Sequence, residues 1–537
     1  MKTLYKILCL VGFVFCTTTC EDFLTEDPKG RLMTEAFFSS PSDLDGALNQ
    51  LYNVVAANVF SSNHTCAANL WAGDDVTTHP VMNKGPLRDF DTYNVDDLSA
   101  WLRHPWSAYF VLVKCANFII NNAGRTPSVS DADKKSAIAQ AHYWRAFAYF
   151  YLVRAWGPLP IMLQEEIKYD APLNTEQEIY DLIVADLKIA EADLPVMYTK
   201  APYLQSNINR AVCQPAAKAT LGQVYLTMAG WPMNKGNEYY TLAANKLKEV
   251  IDGVTGGTYK YSLYNEFWKI HSQTHNYTNT ELILGVYYSR DRGTTTACIC
   301  DLPADGVALG WNDACGEIKF WKDFPEGPRK EATYLPKILK TAGVLIDWWD
   351  ESRETPVPFF QKTAEMPQRN AEWDYTNHSS VPSAGEKTRH IVRLSQVYCW
   401  YAEAVGRSGQ TNPLAIELLN KVRNRADGAE TNLYPAGMPA NELAEAAYKE
   451  HGWEAAGYYW GALATRSQDM RRMNRFKDHF EFRKQNPPIE VAPGVFRKEP
   501  VAIPSSYSWN ESRMYLPYPA EDARLNAEMK ASNAKRQ

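Results

Sequence analysis

The chain is 537 residues long, 45% hydrophobic and 22% charged, a globular balance that excludes extended disorder and fits several domains or one long repeat array. Its formal charge of −6 argues against nucleic acid or an anionic membrane surface as partner and in favour of a neutral or cationic ligand. Aromatic residues reach 12%, with 16 Trp and 31 Tyr, enough to pack large helices and still leave rings for stacking on something flat and weakly polar.

Lys2 and Lys6 precede an apolar run from Ile7 to Cys16 and a few small polar residues before Cys20, which reads as a secretory leader over residues 1–19. The run is too short to cross a bilayer, and no later segment is long and apolar enough to do so. Cys20, followed by Glu21, Asp22, Phe23 and Leu24, resembles the start of a mature bacterial lipoprotein, which implies lipidation at Cys20. Residues 20–39 then read as a tether.

The first helix starts at Ser40, Pro41 and Asp43, with Leu44, Leu48, Leu51, Tyr52 and Val55 on one face. A long irregular insertion, 58–100, carries Trp71, Asp74, Asp75, Tyr93, Asp96 and Asp97; insertions of this length are usually functional or disordered, and the aromatics favour function. A second helix is predicted over about 101–122. The stretch 137–160 follows, in which Ala141, Trp144, Phe147, Ala148, Tyr151, Leu152, Ala155 and Trp156 form a broad apolar stripe on one helix face. Gly157, Pro158 and Pro160 end it. Its partner is announced by the capping box of Thr175 and Glu178 and stopped by Pro195.

A third helix pair is predicted over 212–229 and 239–252. A fourth comes much later, with Ile391, Leu394, Tyr398, Ala402 and Val405 in one helix and Asn412 and Pro413 opening the next. Between the third and fourth pairs, 260–388 is rich in Trp, Tyr, Pro and Gly, with one short strand expected at Leu282 to Tyr288 and Trp311, Trp321, Trp348, Trp349 and Trp373 among its loops. Residues 389–537 hold the fourth pair, a helix-rich segment around 451–473 and a Pro-broken tail. Four hairpins with small and aromatic residues at related places predict a mainly α, tetratricopeptide-like solenoid with long irregular insertions. Because stacked hairpins bury their faces against one another, the insertions are the parts left free to bind.

Chemistry-bearing residues are sparse. The chain has no G-x-S-x-G, H-E-x-x-H, phosphate loop or G-x-G-x-x-G. Seven Cys follow Cys20, at 66, 115, 213, 298, 300, 315 and 399; an odd number inside apolar patterns reads as buried thiols, with Cys298, Cys300 and Cys315 alone close enough to suggest a bridge. No metal site or cofactor is expected. His271 and His275 fall in a loop and are expected to be solvated. Asp74 with Asp75 offers the paired carboxylates of a glycosidase, although adjacent loop acids more often accept hydrogen bonds.

CEDFLTEDP from Cys20, WSAYFVLVKCANFIINN from Trp106, AQAHYWRAFAYFYLVRAWGPLP from Ala139, RLSQVYCWYAEAVGRSG from Arg393 with LLNKVRNRA after it, and YLPYPAEDARLN from Tyr515 together resemble the SusD/RagB-like outer-membrane lipoproteins of Bacteroidota. The last of these is similar to the family's closing strand and helix. The resemblance implies a non-catalytic, surface-exposed, lipid-anchored protein that binds oligosaccharides and hands them to a SusC-like TonB-dependent transporter, over which it sits as a lid. Oligopeptide capture, as in some members, and a secreted helical glycoside hydrolase are the alternatives. In the capture role, flat rings pack on the C–H face of a sugar and polar groups pair with its hydroxyls. The candidates are Trp71, Asp74, Asp75 and Trp101 from the first insertion and Trp311, Asn312 and Trp321 from the second; for each Trp a wedge role, packing its insertion onto the solenoid, is an equal reading.

Overall fold

The computed structural model describes residues 37–60, 72–166, 168–272, 275–297, 299–306, 309–340, 343–362, 384–430, 433–457 and 463–536. Cys20, Cys66, Trp71, Cys298 and Trp373 lie outside the described residues.

Helix α1, Pro41–Val54, begins where the sequence signals place it: the Ser40 side chain and the Asp43 carboxylate exchange the two hydrogen bonds of a capping box, and a π-helical turn, Val55–Val59, extends it. Helix α2 spans Arg103–Asn122. Helix α3, Asp131–Trp156, is capped by the Ser130 hydroxyl and released by Gly157 at φ +78°. A Cβ on Gly157 would stand 2.7 Å from the Tyr515 ring, so glycine is required there both for the turn and for the close approach. Helices α4, Glu176–Asp193, α5, Gln214–Ala229, and α6, Asn237–Thr255, follow. After the second insertion come α7, Leu394–Arg407, α8, Pro413–Asp427, α9, Ala440–Ala455, α10, Arg466–Arg472, α11, Phe476–Gln485, and α12, Ala527–Arg536.

Consecutive helices α1 to α6 pack pairwise, α6 packs on α7, and α7 packs on both α8 and α9. The four hairpins therefore form one stack, with α9 as an additional helix against the last. This is the mainly helical, tetratricopeptide-like architecture read from the periodicity. One core runs through it, from Phe38 to Met529.

Three local expectations are corrected. Helix α3 is not apolar on one face only: every side chain from Ala139 to Trp156 is buried. It lies between α2 and α4 and is crossed at its end by the tail, where the Leu516 N–H donates to the Ala155 carbonyl. Its polar members are paired inside; Arg145 grips Asp186 with Nε and Nη2, both at 2.8 Å, and His142 Nδ1 stands 2.6 Å from the same carboxylate. Ile391 belongs to a strand, because Arg389–Arg393 pairs antiparallel with Leu282–Val286 before α7 starts. The predicted strand over 282–288 correspondingly ends two residues early. Residues 515–519 run extended without forming a ladder among the described residues; Pro517 and Pro519 remove two of the N–H donors a ladder would need.

The short strands that matter below are β1, Val76–Thr77, β2, Leu204–Gln205, β3, Ile208–Asn209, β4, Leu282–Val286, β5, Cys315–Gly316, and β6, Arg389–Arg393. β1 pairs with β5, β2 with β3, and β4 with β6, all antiparallel.

Candidate functional site

The two insertions are tied to each other. In the β1–β5 ladder Val76 faces Gly316 and Thr77 faces Cys315, and close by the Lys84 ammonium pairs with the Asp313 carboxylate in a buried contact. These links set the second insertion's loop 299–313 beside residues 76–84 of the first. Burial, joined by the charges of Arg353 and Lys84, pushes the His79 imidazole below its usual range, so it stays neutral, and its Nδ1 faces the Val81 N–H at 3.3 Å.

The described residues of loop 299–313 are held by their own backbone. The N–H groups of Gly310, Trp311, Asn312 and Asp313 donate to the carbonyls of Pro303, Ile299, Leu302 and Cys300 at 2.8 to 3.2 Å. Leu309 and Asn312 sit in the left-handed region, at φ +47° and +56°, a conformation Asn tolerates and Leu does not favour. A Cβ on Gly310 would fall 2.0 Å from the Leu302 carbonyl oxygen, so nothing but glycine lets the strand pass there. Asp305 is anchored by Arg353, whose Nη2 lies at 2.8 Å, and by Lys340 at 3.1 Å; against the burial that would raise it, these cations hold its carboxyl below the usual range. The stiff loop leaves Trp311 44% exposed and Leu309 71% exposed. Trp311 is thus carried on a held backbone, with nearly half its surface open to solvent.

The remaining sequence candidates are dispersed. Asn312 is buried, and its Oδ1 accepts the Ala304 N–H at 2.8 Å, so it shapes the loop under Trp311. Asp74 accepts a two-pronged bond from Arg466, Nε to Oδ1 at 2.6 Å and Nη2 to Oδ2 at 3.0 Å; burial alone would raise its pKa, and the guanidinium holds it below the usual range. Asp75 is buried and accepts the Gly457 N–H at 2.8 Å. Burial, with the Asp74 charge beside it, pushes its carboxyl up to about 7. Trp101 stands just before α2, half-buried against the main core, near Asp97, whose carbonyl accepts the Ala520 N–H of the tail. Trp321 meets Trp348 edge-on at 4.9 Å and Trp349 at 5.6 Å, with the Lys330 ammonium 4.0 Å from its ring centre. These three Trp pack a small separate core of the second insertion with Ile318, Leu335 and Phe359.

Of the candidates in the described residues, then, Trp311 and Asn312 share one loop and Asp74 and Asp75 another, and the two pairs do not meet in a common opening. Asp74 lines a different cleft of about 270 Å³ with Lys319, Phe320, Asp478 and Phe482. Lys84 and Asp313, which join the insertions, carry no sequence signal, since the pairing spans 229 residues. His271, expected to be solvated, is buried and stacks on His390 at 5.5 Å, because β6 carries His390 across the segment before β4. Cys115, Cys213, Cys300, Cys315 and Cys399 are free thiols, four of them buried; burial pushes the Cys315 thiol well up. Among the described residues no group of three His, Cys, Asp or Glu could hold a metal ion, and no helix is long and apolar enough to cross a membrane.

Comparison with known proteins accounts for both ends of the chain. Residues 22–226 match a SusD-like family model described as starch-binding and associating with the outer membrane, and residues 346–534 match the SusD family model. A SusD-like protein of Bacteroides ovatus is 27% identical over 444 residues, covering 78% of this chain and 76% of its own. The crystal structure of a SusD homologue from Bacteroides thetaiotaomicron superposes with a TM-score of 0.74 at 17% identity, over 92% of this chain and 97% of that one. A laminarin-binding SusD-like protein superposes at 0.67 with 18% identity, over 91% and 98%. The first match falls on the opening half of the helical stack, and the second runs from within the second insertion through the last hairpin and the tail: the chain belongs to the SusD/RagB-like family.

Proposed function

We propose that this protein captures oligosaccharides at the cell surface and passes them to a SusC-like TonB-dependent transporter, held at the outer membrane by a lipid on Cys20 and without catalysing any reaction. The observation that carries the reading is Trp311: an indole on a backbone-locked loop, at the seam of the two insertions, with nearly half its surface open. The apolar C–H side of a pyranose packs on such a ring with less loss of protein entropy, because the backbone that carries it is already held. Relatives named for laminarin and starch binding support the ligand class. At about 0.3 kcal/mol per heavy atom a disaccharide gains about 6 to 7 kcal/mol, an affinity of about 10 to 40 μM suited to capture and release.

The two adjacent carboxylates support the binding-only reading. Asp74 is clamped by Arg466 and Asp75 turns its carboxyl to the Gly457 N–H, so they do not flank a common opening as the acid and base of a glycosidase must. The test is to incubate the purified protein with laminarin, starch and xyloglucan. Retardation in a glycan-containing native gel, with no growth in reducing ends, is expected; accumulating reducing ends would overturn the non-catalytic role, and free migration in every gel would overturn glycan capture.

A further inference from the structure

A second recess lies in the solenoid, away from the insertion seam. Between α4 and α5 the chain crosses α1 as an ordered loop: the Tyr198 N–H donates to Asn209 Oδ1 and its hydroxyl to the Val212 carbonyl, both at 2.9 Å. The β2–β3 hairpin stiffens this loop further, with Ser206 and Asn207 at φ +52° and +63° forming its turn. The result is an open cleft of about 800 Å³ between α1, the start of α3 and this loop, within the size range of small-ligand sites. Tyr198 and Tyr203 line it, half-buried, with ring centres 5.3 Å apart.

At Asn49, Pro202 and Tyr203 the cleft continues into a narrower recess of about 90 Å³ between Tyr52, Trp144, Arg210 and Tyr287. Tyr287 is fixed there from behind: Tyr277 stacks on it at 5.9 Å with an interplanar angle of 14°, and the Arg210 guanidinium lies 5.1 Å from its ring centre. Its hydroxyl is buried and has no hydrogen-bond partner among the described residues. A buried hydroxyl without a partner is unfavourable, and a ligand hydroxyl entering the recess would supply the missing bond. The cleft's charged lining is three carboxylates, Asp45, Asp133 and Asp193, against Lys200, which disfavours anions.

We propose that this cleft is a second glycan site, distinct from Trp311, which takes the end of a neutral oligosaccharide with its terminal ring at Tyr287 and a following ring against Tyr203. The inference rests on the carbohydrate reading above. Its test is calorimetric titration of the purified protein and its variants with maltohexaose, laminarihexaose and a xyloglucan heptasaccharide. Trp311→Ala is expected to keep a residual site for at least one of these sugars. On that background Tyr203→Ala should weaken the residual site at least tenfold, and Tyr287→Phe, which removes the hydroxyl alone, about fivefold. Loss of all binding on Trp311→Ala overturns the second site and leaves glycan capture standing. A residual site indifferent to both Tyr203→Ala and Tyr287→Phe overturns it as well. A wild-type protein that binds none of the three sugars overturns the carbohydrate reading and this site with it.

Discussion

Replacing Trp311 by Ala separates a ligand platform from a packing residue. With 44% of its surface open and a Trp side chain offering on the order of 250 Å², about 110 Å² of ring is available to a sugar. A pyranose covers one face and some of the edge, so about half to all of that area leaves water on binding; at ~25 cal/mol per Å² this is about 1.4 to 2.7 kcal/mol. Trp311→Ala is therefore expected to weaken glycan binding by about ten- to a hundredfold while lowering the melting temperature less than Trp321→Ala does. Trp321→Ala is the control: its ring packs on Trp348 and Trp349 and under Lys330, so its loss should destabilise the second insertion by about 3 kcal/mol. Calorimetric titration and thermal melts of both variants give the comparison. Full glycan affinity in folded Trp311→Ala refutes the assignment of this ring to the ligand, and a melting-temperature drop as large as that of Trp321→Ala refutes its separation from the packing Trp residues.

Other consequences follow from the buried charges and the anchor. Arg466→Ala leaves the Asp74 carboxylate, three-quarters buried, without its cation and should cost about 3 kcal/mol of stability; an unchanged urea midpoint contradicts the pairing. The Asp75 carboxyl, pushed up to about 7 by burial and Asp74, holds its proton more tightly folded than unfolded, so its contribution is fully present below about 4 and is lost as pH rises through 7. Asp75→Asn should thus gain stability relative to wild type between pH 5 and 8. His271 and His390, whose lowered pKa values act in the opposite sense, cancel in that comparison, and a relative loss refutes the assignment. Cys20→Ala should release the protein from the outer membrane into the soluble fraction; retention there refutes lipid anchoring.

The solenoid was legible in the sequence because its signals are local. Ser40 with Asp43, Thr175 with Glu178 and Asn412 before Pro413 each mark a helix start within a few residues, and the apolar spacing between them needs no knowledge of distant chain. The same locality misled at Ile391, where apolar spacing continuous with α7 hid a strand whose partner, β4, lies more than a hundred residues earlier. It fell short again on α3, where the apolar stripe marks one face but not the burial of its polar residues, which Asp186 makes possible by meeting Arg145 and His142.

The binding region was less legible for the same physical reason. What separates Trp311 from Trp321 is not the residue or its neighbours in sequence but which insertion contacts close over it. Those contacts are held by groups far apart: Arg483 on α11 reaches Asp91 of the first insertion, 392 residues away, and Glu317 of the second, 166 residues away. Lys84 and Asp313 pair across the same seam. Each such charge is stripped of water and is favourable only with its partners in place, so the seam forms as a unit or not at all. That cooperativity keeps the loop under Trp311 rigid without a ligand. On the proposed reading, a loop held this way loses little further freedom when Trp311 meets a sugar.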